Sequence, residues 1–271
     1  MSLPPPNDRL ASMFERTRAE GRPAVIIFSP CDFPERDATV EVLRAAVEGG
    51  ADAIEIGMPF SDPLADGPVN QAAYDRALHE GFVPADLWAA VRQLRAEGIG
   101  VPILCMGYFN PLLAYGIEAF THDAAEAGVD GFIIVDLPPE EASELEQATR
   151  ATGLHLIYLL APTSTDERIA LAARHGSGFL YCVSVTGVTG TQEAPFADLA
   201  PFIERVRRQT DLPLAIGFGI SRREHVEAAG RLADAAAIGS AFVARAGETP
   251  RDRRSDVLRA FVEGITGHGT E

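Results

Sequence analysis

Eight short apolar runs recur along the chain, each rich in β-branched or small residues and separated from the next by an amphipathic stretch. They occupy residues 24–28, 53–57, 102–106, 131–135, 155–160, 178–183, 213–217 and 235–239. Helical periodicity lies between them, for instance over 85–97, 117–127 and 164–175. In the last of these, Ser164 or Thr165 precedes an acidic first turn, the pattern of a capped helix start. Strands alternating with helices form a parallel sheet with crossover connections. Eight repeats predict a closed (β/α)8 barrel, the TIM-barrel fold, rather than an open doubly wound sheet. The 271 residues, 46% of them hydrophobic, suit one such unit. We therefore assign 1–271 to a single domain, with an additional helix over 9–20 covering the bottom or flank of the barrel.

Active sites of such barrels lie at the C-terminal ends of the strands. The second strand reads AIEIG and continues into MPFSDPLADGP. Side chains alternate along a strand, so Ala53, Glu55 and Gly57 share one face, and Ile54 and Ile56 share the other. The isoleucines suit the layer between sheet and helices, which points Glu55 into the barrel. A carboxyl group held there has a raised pKa and can donate a proton near neutral pH. The same position also suits a structural acid hydrogen-bonded to Tyr108 or to a backbone amide. Asp66 lies eleven residues further on, in a loop restricted by Pro59, Pro63 and Pro68. It can reach over the barrel mouth opposite Glu55, or serve as an ordinary loop or capping acid.

The ends of strands six to eight offer a different chemistry. Gly187, Gly190, Gly217, Gly219 and Gly239 leave backbone amides unshielded, and Ser221 and Ser240 can cap the helices that follow. A helix N-terminus binds phosphate without a cation, and the loops after strands seven and eight are the usual barrel phosphate site. Turn-forming roles alone would also account for these glycines.

The remaining composition narrows the function. Net charge is −16, which disfavours nucleic acid and anionic membranes as partners. No apolar run approaches the roughly 20 residues of a membrane helix. The N-terminal MSLPPPNDRL lacks the charged-then-apolar order of a secretory signal. These features predict a cytoplasmic protein. The sequence contains no lysine, so it cannot form a Schiff base with a carbonyl substrate or with pyridoxal phosphate. Cys31, Cys105 and Cys182 are scattered, as are His79, His122, His155, His175, His225 and His268, which predicts neither a disulfide framework nor a metal site.

The stretch GADAIEIGMPFSDPLADGP, residues 50–68, closely resembles the signature of the tryptophan synthase alpha subunit family. MGYFNPLLAYG (106–116), VDLPPEE (135–141), APTSTDERI (161–169), TGVTGT (186–191), GFGIS (217–221) and IGSAFV (238–243) are also similar, in the family's order. The resemblance implies a lyase that cleaves indole-3-glycerol phosphate to indole and glyceraldehyde 3-phosphate in a retro-aldol step. It implies that Glu55 is the catalytic acid and base, and that Asp66 stabilises charge at the indole N–H. It places Phe28, Tyr108, Tyr181 and Phe218 around the indole and the phosphate end, and Thr189 in a loop that closes over the ligand. Gly190, Gly219, Gly239 and Ser240 match the phosphate cradle. Pro59 and Asp62 fall where the family touches its beta subunit, the expected carrier of pyridoxal phosphate in an alpha2-beta2 heterotetramer. A free-standing lyase supplying indole to another pathway and a non-catalytic regulatory subunit are the alternatives. Loops 62–67 and 187–193 are expected to move without ligand, since Pro, Gly and small side chains give them few packing contacts. One segment departs from the family: where it has a glycine, as in PAGFP, this chain has Pro30-Cys31-Asp32-Phe33-Pro34. We read that as drift in a surface loop.

Overall fold

The computed structural model describes residues 8–183, 196, 199–217 and 219–267. Eight parallel strands, β1 (Ala24–Pro30), β2 (Ala53–Gly57), β3 (Ile103–Gly107), β4 (Gly131–Ile134), β5 (His155–Leu160), β6 (Leu180–Val183), β7 (Leu214–Gly217) and β8 (Ala235–Ile238), pair in sequence order. β8 pairs back onto β1 and closes the barrel. The sequence places most strands within a residue or two, and the offsets have local causes. Pro102 and Pro213 have no N–H for the ladder, and β3 and β7 start one residue after them. Gly178 sits at φ +76°, outside the extended region, and β6 starts at Leu180.

Strand alternation divides the protein into two apolar layers. Ile54 and Ile56 of β2, Phe132 of β4 and Ile216 of β7 pack outward, in the core shared with the helices. Ala53, Leu104, Ile133, Ile157, Phe179, Ala215 and Ala235 fill the interior. The helix Arg9–Ala19 closes the bottom: its Leu10, Met13 and Phe14 join the interior cluster, and the Phe14 ring meets Phe179 edge-on at 5.8 Å.

A repeated bracket secures that end. Asp52, Asp130 and Asp234 each immediately precede an even-numbered strand. The Asp52 carboxylate accepts from the Val25 amide at 2.9 Å, that of Asp130 from Ile103 at 2.7 Å, and that of Asp234 from Leu214 at 2.8 Å. Each aspartate's own amide donates to the carbonyl of the same partner residue, at 2.8 Å in all three cases. Ser177 makes the equivalent pair with Leu156 ahead of β6. Arginines neutralise the three acids: Arg22 in a fork and Arg16 on Asp52, Arg95 and Arg9 on Asp130, Arg207 and Arg18 on Asp234. A planar guanidinium meets a carboxylate through two bonds at once, which a lysine cannot do.

The Pro30–Pro34 segment corrects the surface-loop reading. Cys31 through Pro34 are buried, and Asp32 is 3% exposed at φ +53°. Its backbone amide donates to Thr39 Oγ1 at 2.8 Å, while its Oδ2 is buried without a partner. Burial raises the Asp32 pKa; the Asp37 amide opposes this, and the charges of Asp86 and Asp37 add to it.

Candidate active site

A cavity of about 1210 Å³ opens at the C-terminal ends of the strands. Its floor is made by interior-facing residues of seven strands: Phe28 of β1, Glu55 of β2, Met106 of β3, Leu159 of β5, Tyr181 of β6, Gly217 of β7 and Ala237 of β8. The loop after β2 contributes Asp66 and the start of the helix Pro68–His79, and the loops after β7 and β8 contribute Gly219, Gly239 and Ser240.

Glu55 is fully buried, and neither carboxyl oxygen has a hydrogen-bond partner among the described residues. Burial alone lifts its pKa from 4.5 to about 8, so the group is mostly protonated at pH 7. The structural alternative, a hydrogen bond from Tyr108, is not what forms. The Tyr108 hydroxyl donates to Asp66 Oδ2 at 2.7 Å and accepts from the Ala65 amide at 3.0 Å. Glu55 is thus a neutral acid on the cavity floor with unused hydrogen-bonding capacity.

Asp66 is held differently. Besides Tyr108, Asn70 Nδ2 donates to its Oδ1 at 3.1 Å from the first turn of the helix Pro68–His79. Burial raises the Asp66 pKa, and the bonds from Tyr108 and Asn70 oppose that shift without cancelling it. The Asp62–Gly67 stretch is exposed or half-buried throughout, and Leu64 is 90% exposed. It is nevertheless tied down by Tyr108 and by Gln71 Nε2, which donates to the Asp66 carbonyl at 2.8 Å.

The glycines at the strand ends have distinct reasons. A Cβ on Gly217 would lie 2.2 Å from the Tyr181 hydroxyl, so this glycine admits the tyrosine ring rather than baring an amide. Gly57 likewise leaves room for the Phe28 ring and the Tyr74 hydroxyl, each 2.7 Å from where its Cβ would be. Gly219 has open space but sits at φ +71°, where its lack of a Cβ is needed. The helix Ser240–Glu248 begins at the cavity with Gly239, not Ser240, as its cap, and no side chain caps it. Ser221 also misses the cap position, which Arg222 takes; the Ser221 amide faces His225 Nδ1 at 3.3 Å instead. The uncapped start at Ser240 leaves the first amides of that helix directed at the cavity end.

Of the residues singled out in the sequence, Glu55, Asp66, Phe28, Tyr181, Gly219, Gly239 and Ser240 line one cavity. Tyr108 stands behind Asp66 and reaches the site through it. Thr189, Gly190 and Phe218, and the 187–193 loop, lie outside the described residues. Pro59 is buried and Asp62 is exposed on the same loop. Two residues escaped the sequence reading. Asn70 had a legible signal, four positions after Asp66 where a helix start brings the two side chains together. Tyr74 had none, because its place beside Gly57 depends on how the helix docks.

The chain matches the family model described as tryptophan synthase alpha chain over residues 14–266. It is 49% identical over 235 residues to the tryptophan synthase alpha chain of Roseiflexus sp. (strain RS-1), covering 87% of this chain and 90% of that one. It is 45% identical over 260 residues to the tryptophan synthase of Saccharomyces cerevisiae, covering 96% of this chain but only 37% of the yeast protein. Among solved structures, a tryptophan synthase from M. tuberculosis in an open form with BRD0059 bound superimposes with a TM-score of 0.86 at 34% identity, covering 96% of this chain and 98% of that one. A barrel with this cavity and this degree of likeness across nearly its whole length belongs to the tryptophan synthase alpha chain family.

Proposed function

We propose that this chain cleaves indole-3-glycerol phosphate to indole and glyceraldehyde 3-phosphate, with Glu55 as proton donor and acceptor and Asp66 as the charge-stabilising partner. Breaking the bond between indole C3 and the glycerol carbon directly would leave an electron pair on an aromatic carbon, a poor leaving group. Protonation of C3 removes the difficulty. The ring becomes an indoleninium, positive at N1, and Asp66 balances that charge. Loss of the glycerol hydroxyl proton then forms the aldehyde carbonyl as the carbon–carbon bond breaks. The bonding pair returns to the ring, N1 becomes neutral and indole is released. One proton enters at C3 and one leaves the hydroxyl, so a single carboxyl group that alternates between acid and base completes the cycle.

The observation that carries this reading is Glu55 itself: buried, unpartnered, on the cavity floor and neutral at pH 7. Two carboxyl groups in unlike surroundings divide the work, as acid–base pairs do elsewhere. The phosphate would rest on the amides around Gly219, Gly239 and Ser240, which suits a protein of net charge −16.

By the same reading the chain acts in tryptophan biosynthesis in the cytoplasm, as the alpha subunit of an alpha2-beta2 assembly whose beta subunit holds pyridoxal phosphate. Three facts support it. The chain has no lysine to anchor that cofactor. Most of the yeast tryptophan synthase lies outside the region this chain matches. Leu64, 90% exposed beside Asp62 at the mouth, offers an apolar contact to a partner. The test is release of indole and glyceraldehyde 3-phosphate from purified protein, with and without a beta subunit. Cleavage that rises on adding the beta subunit is expected. No cleavage in either case would overturn the reading, and full activity alone would favour the free-standing enzyme.

A further inference from the structure

We infer that Asn70 is a positioning residue of this reaction, fixing the carboxylate plane of Asp66 together with Tyr108. The inference rests on the cleavage reading above and adds a residue to it. Asp66 receives one donor on each oxygen: Asn70 Nδ2 on Oδ1 at 3.1 Å and the Tyr108 hydroxyl on Oδ2 at 2.7 Å. The donors come from different elements, the start of the helix Pro68–His79 and the residue capping the helix Phe109–Tyr115. A carboxylate gripped on both oxygens cannot rotate, and its remaining lone pairs keep fixed directions.

The far end of the Asn70 amide provides a second, independent sign. Its Oδ1 is buried and takes no hydrogen bond from any described residue. Turning the amide over would free the nitrogen but set two acceptors against each other while Asp66 is ionised. The amide keeps the orientation that serves Asp66 and leaves its own oxygen unsatisfied, so the carboxylate, not local packing, dictates the side chain. Asn70 also lines the cavity.

The charge environment makes the effect measurable. Among the described residues, the ionisable groups around Asp66 are Tyr108, Tyr74 and Tyr181, with Glu55 acting on the buried Tyr74 and Tyr181. None is a cation, so the Asn70 and Tyr108 bonds are what offset the burial of Asp66. Losing either raises its pKa further.

The experiment compares kcat and kcat/KM against pH for the wild type, Asn70→Leu, Asn70→Asp and Gln71→Leu, with thermal midpoints as a check of folding. Gln71 holds the Asp66 backbone carbonyl and not its carboxylate, so it controls for loop disorder. Asn70→Leu should lower kcat about tenfold, as expected for one lost aligned hydrogen bond. It should also move the acid limb to higher pH, and Asn70→Asp should move that limb at least as far. Gln71→Leu should leave the limb in place. An unmoved limb in both Asn70 variants, or an equal shift in Gln71→Leu, overturns the inference while the cleavage reading stands. A wild type that does not cleave fails that reading first.

Discussion

At the N-terminal end of the barrel Asp52 accepts hydrogen bonds from Arg22, Arg16 and the Val25 amide; at the other end Glu55, just as buried, accepts none. The two acids belong to the same pair of strand ends, since Asp52 immediately precedes β2 and Glu55 is its third residue. Burial pushes both pKa values up. At Asp52 the Arg22 bonds, the Val25 amide and Arg16 more than reverse it, and the group stays below its ordinary value. At Glu55 nothing reverses it. The bottom of the barrel is therefore built for stability, and the mouth retains a group that the fold would be more stable without.

The sharpest way to separate the two ends is Glu55→Gln. Cleavage should fall by about 10²–10⁴-fold, the range for losing a general acid–base group. The fold should become more stable at pH 7. The folded-state pKa of Glu55 lies above its unfolded value, so its contribution is fully present below about 4.5 and is lost as pH rises toward about 8. At pH 7 the shift amounts to about 3 kcal/mol against folding, which the amide relieves, and thermal unfolding against pH measures it.

Asp52→Asn should act in the opposite sense. Removing one member of a buried, charge-paired group costs on the order of 3 kcal/mol, while kcat of the folded fraction stays unchanged. The folded pKa of Asp52 is depressed, so its contribution is present above 3.8 and is lost as pH falls through the folded value. Acid unfolding of the variant should lack that component, and urea titrations at pH 7 and at a pH well below 3.8 would detect the difference.

Tyr108→Phe tests the intermediate case, an acid with partial support. It removes the donor to Asp66 Oδ2, and kcat should drop roughly tenfold with little change in the urea midpoint. The smallest effect is expected at Asp32, whose pKa is raised by burial. Its contribution is greatest below 3.8 and declines as pH rises, so Asp32→Asn should stabilise the protein slightly at pH 7. A calorimetric midpoint that falls instead would show Asp32 to be a required structural acid.

The sequence carries the barrel because alternation and repeat number act locally: each strand had its own apolar run, and eight runs admit few closures. Glu55 was legible for the same reason, since a period of two fixes which face it shares with Ala53 and Gly57. What escaped depends on long-range docking. The Asp–amide brackets at the bottom join residues 20 to 27 positions apart through the closed sheet, and no local pattern marks them. Gly217 looked like a phosphate-loop glycine, and only the path of the Tyr181 ring reveals its actual constraint. Asp32 looked like a loop residue because Pro and Asp commonly mark exposed turns, whereas the helix Thr39–Glu48 buries it through Thr39.

The proposed cleavage requires a carboxyl group that stays protonated through neutral pH inside the barrel. A pH titration of the Glu55 side-chain carbon by 13C NMR, assigned by its absence from Glu55→Gln, measures this directly. A midpoint near 8 is expected; a midpoint near 4.5 would contradict the assignment of Glu55 as the proton donor.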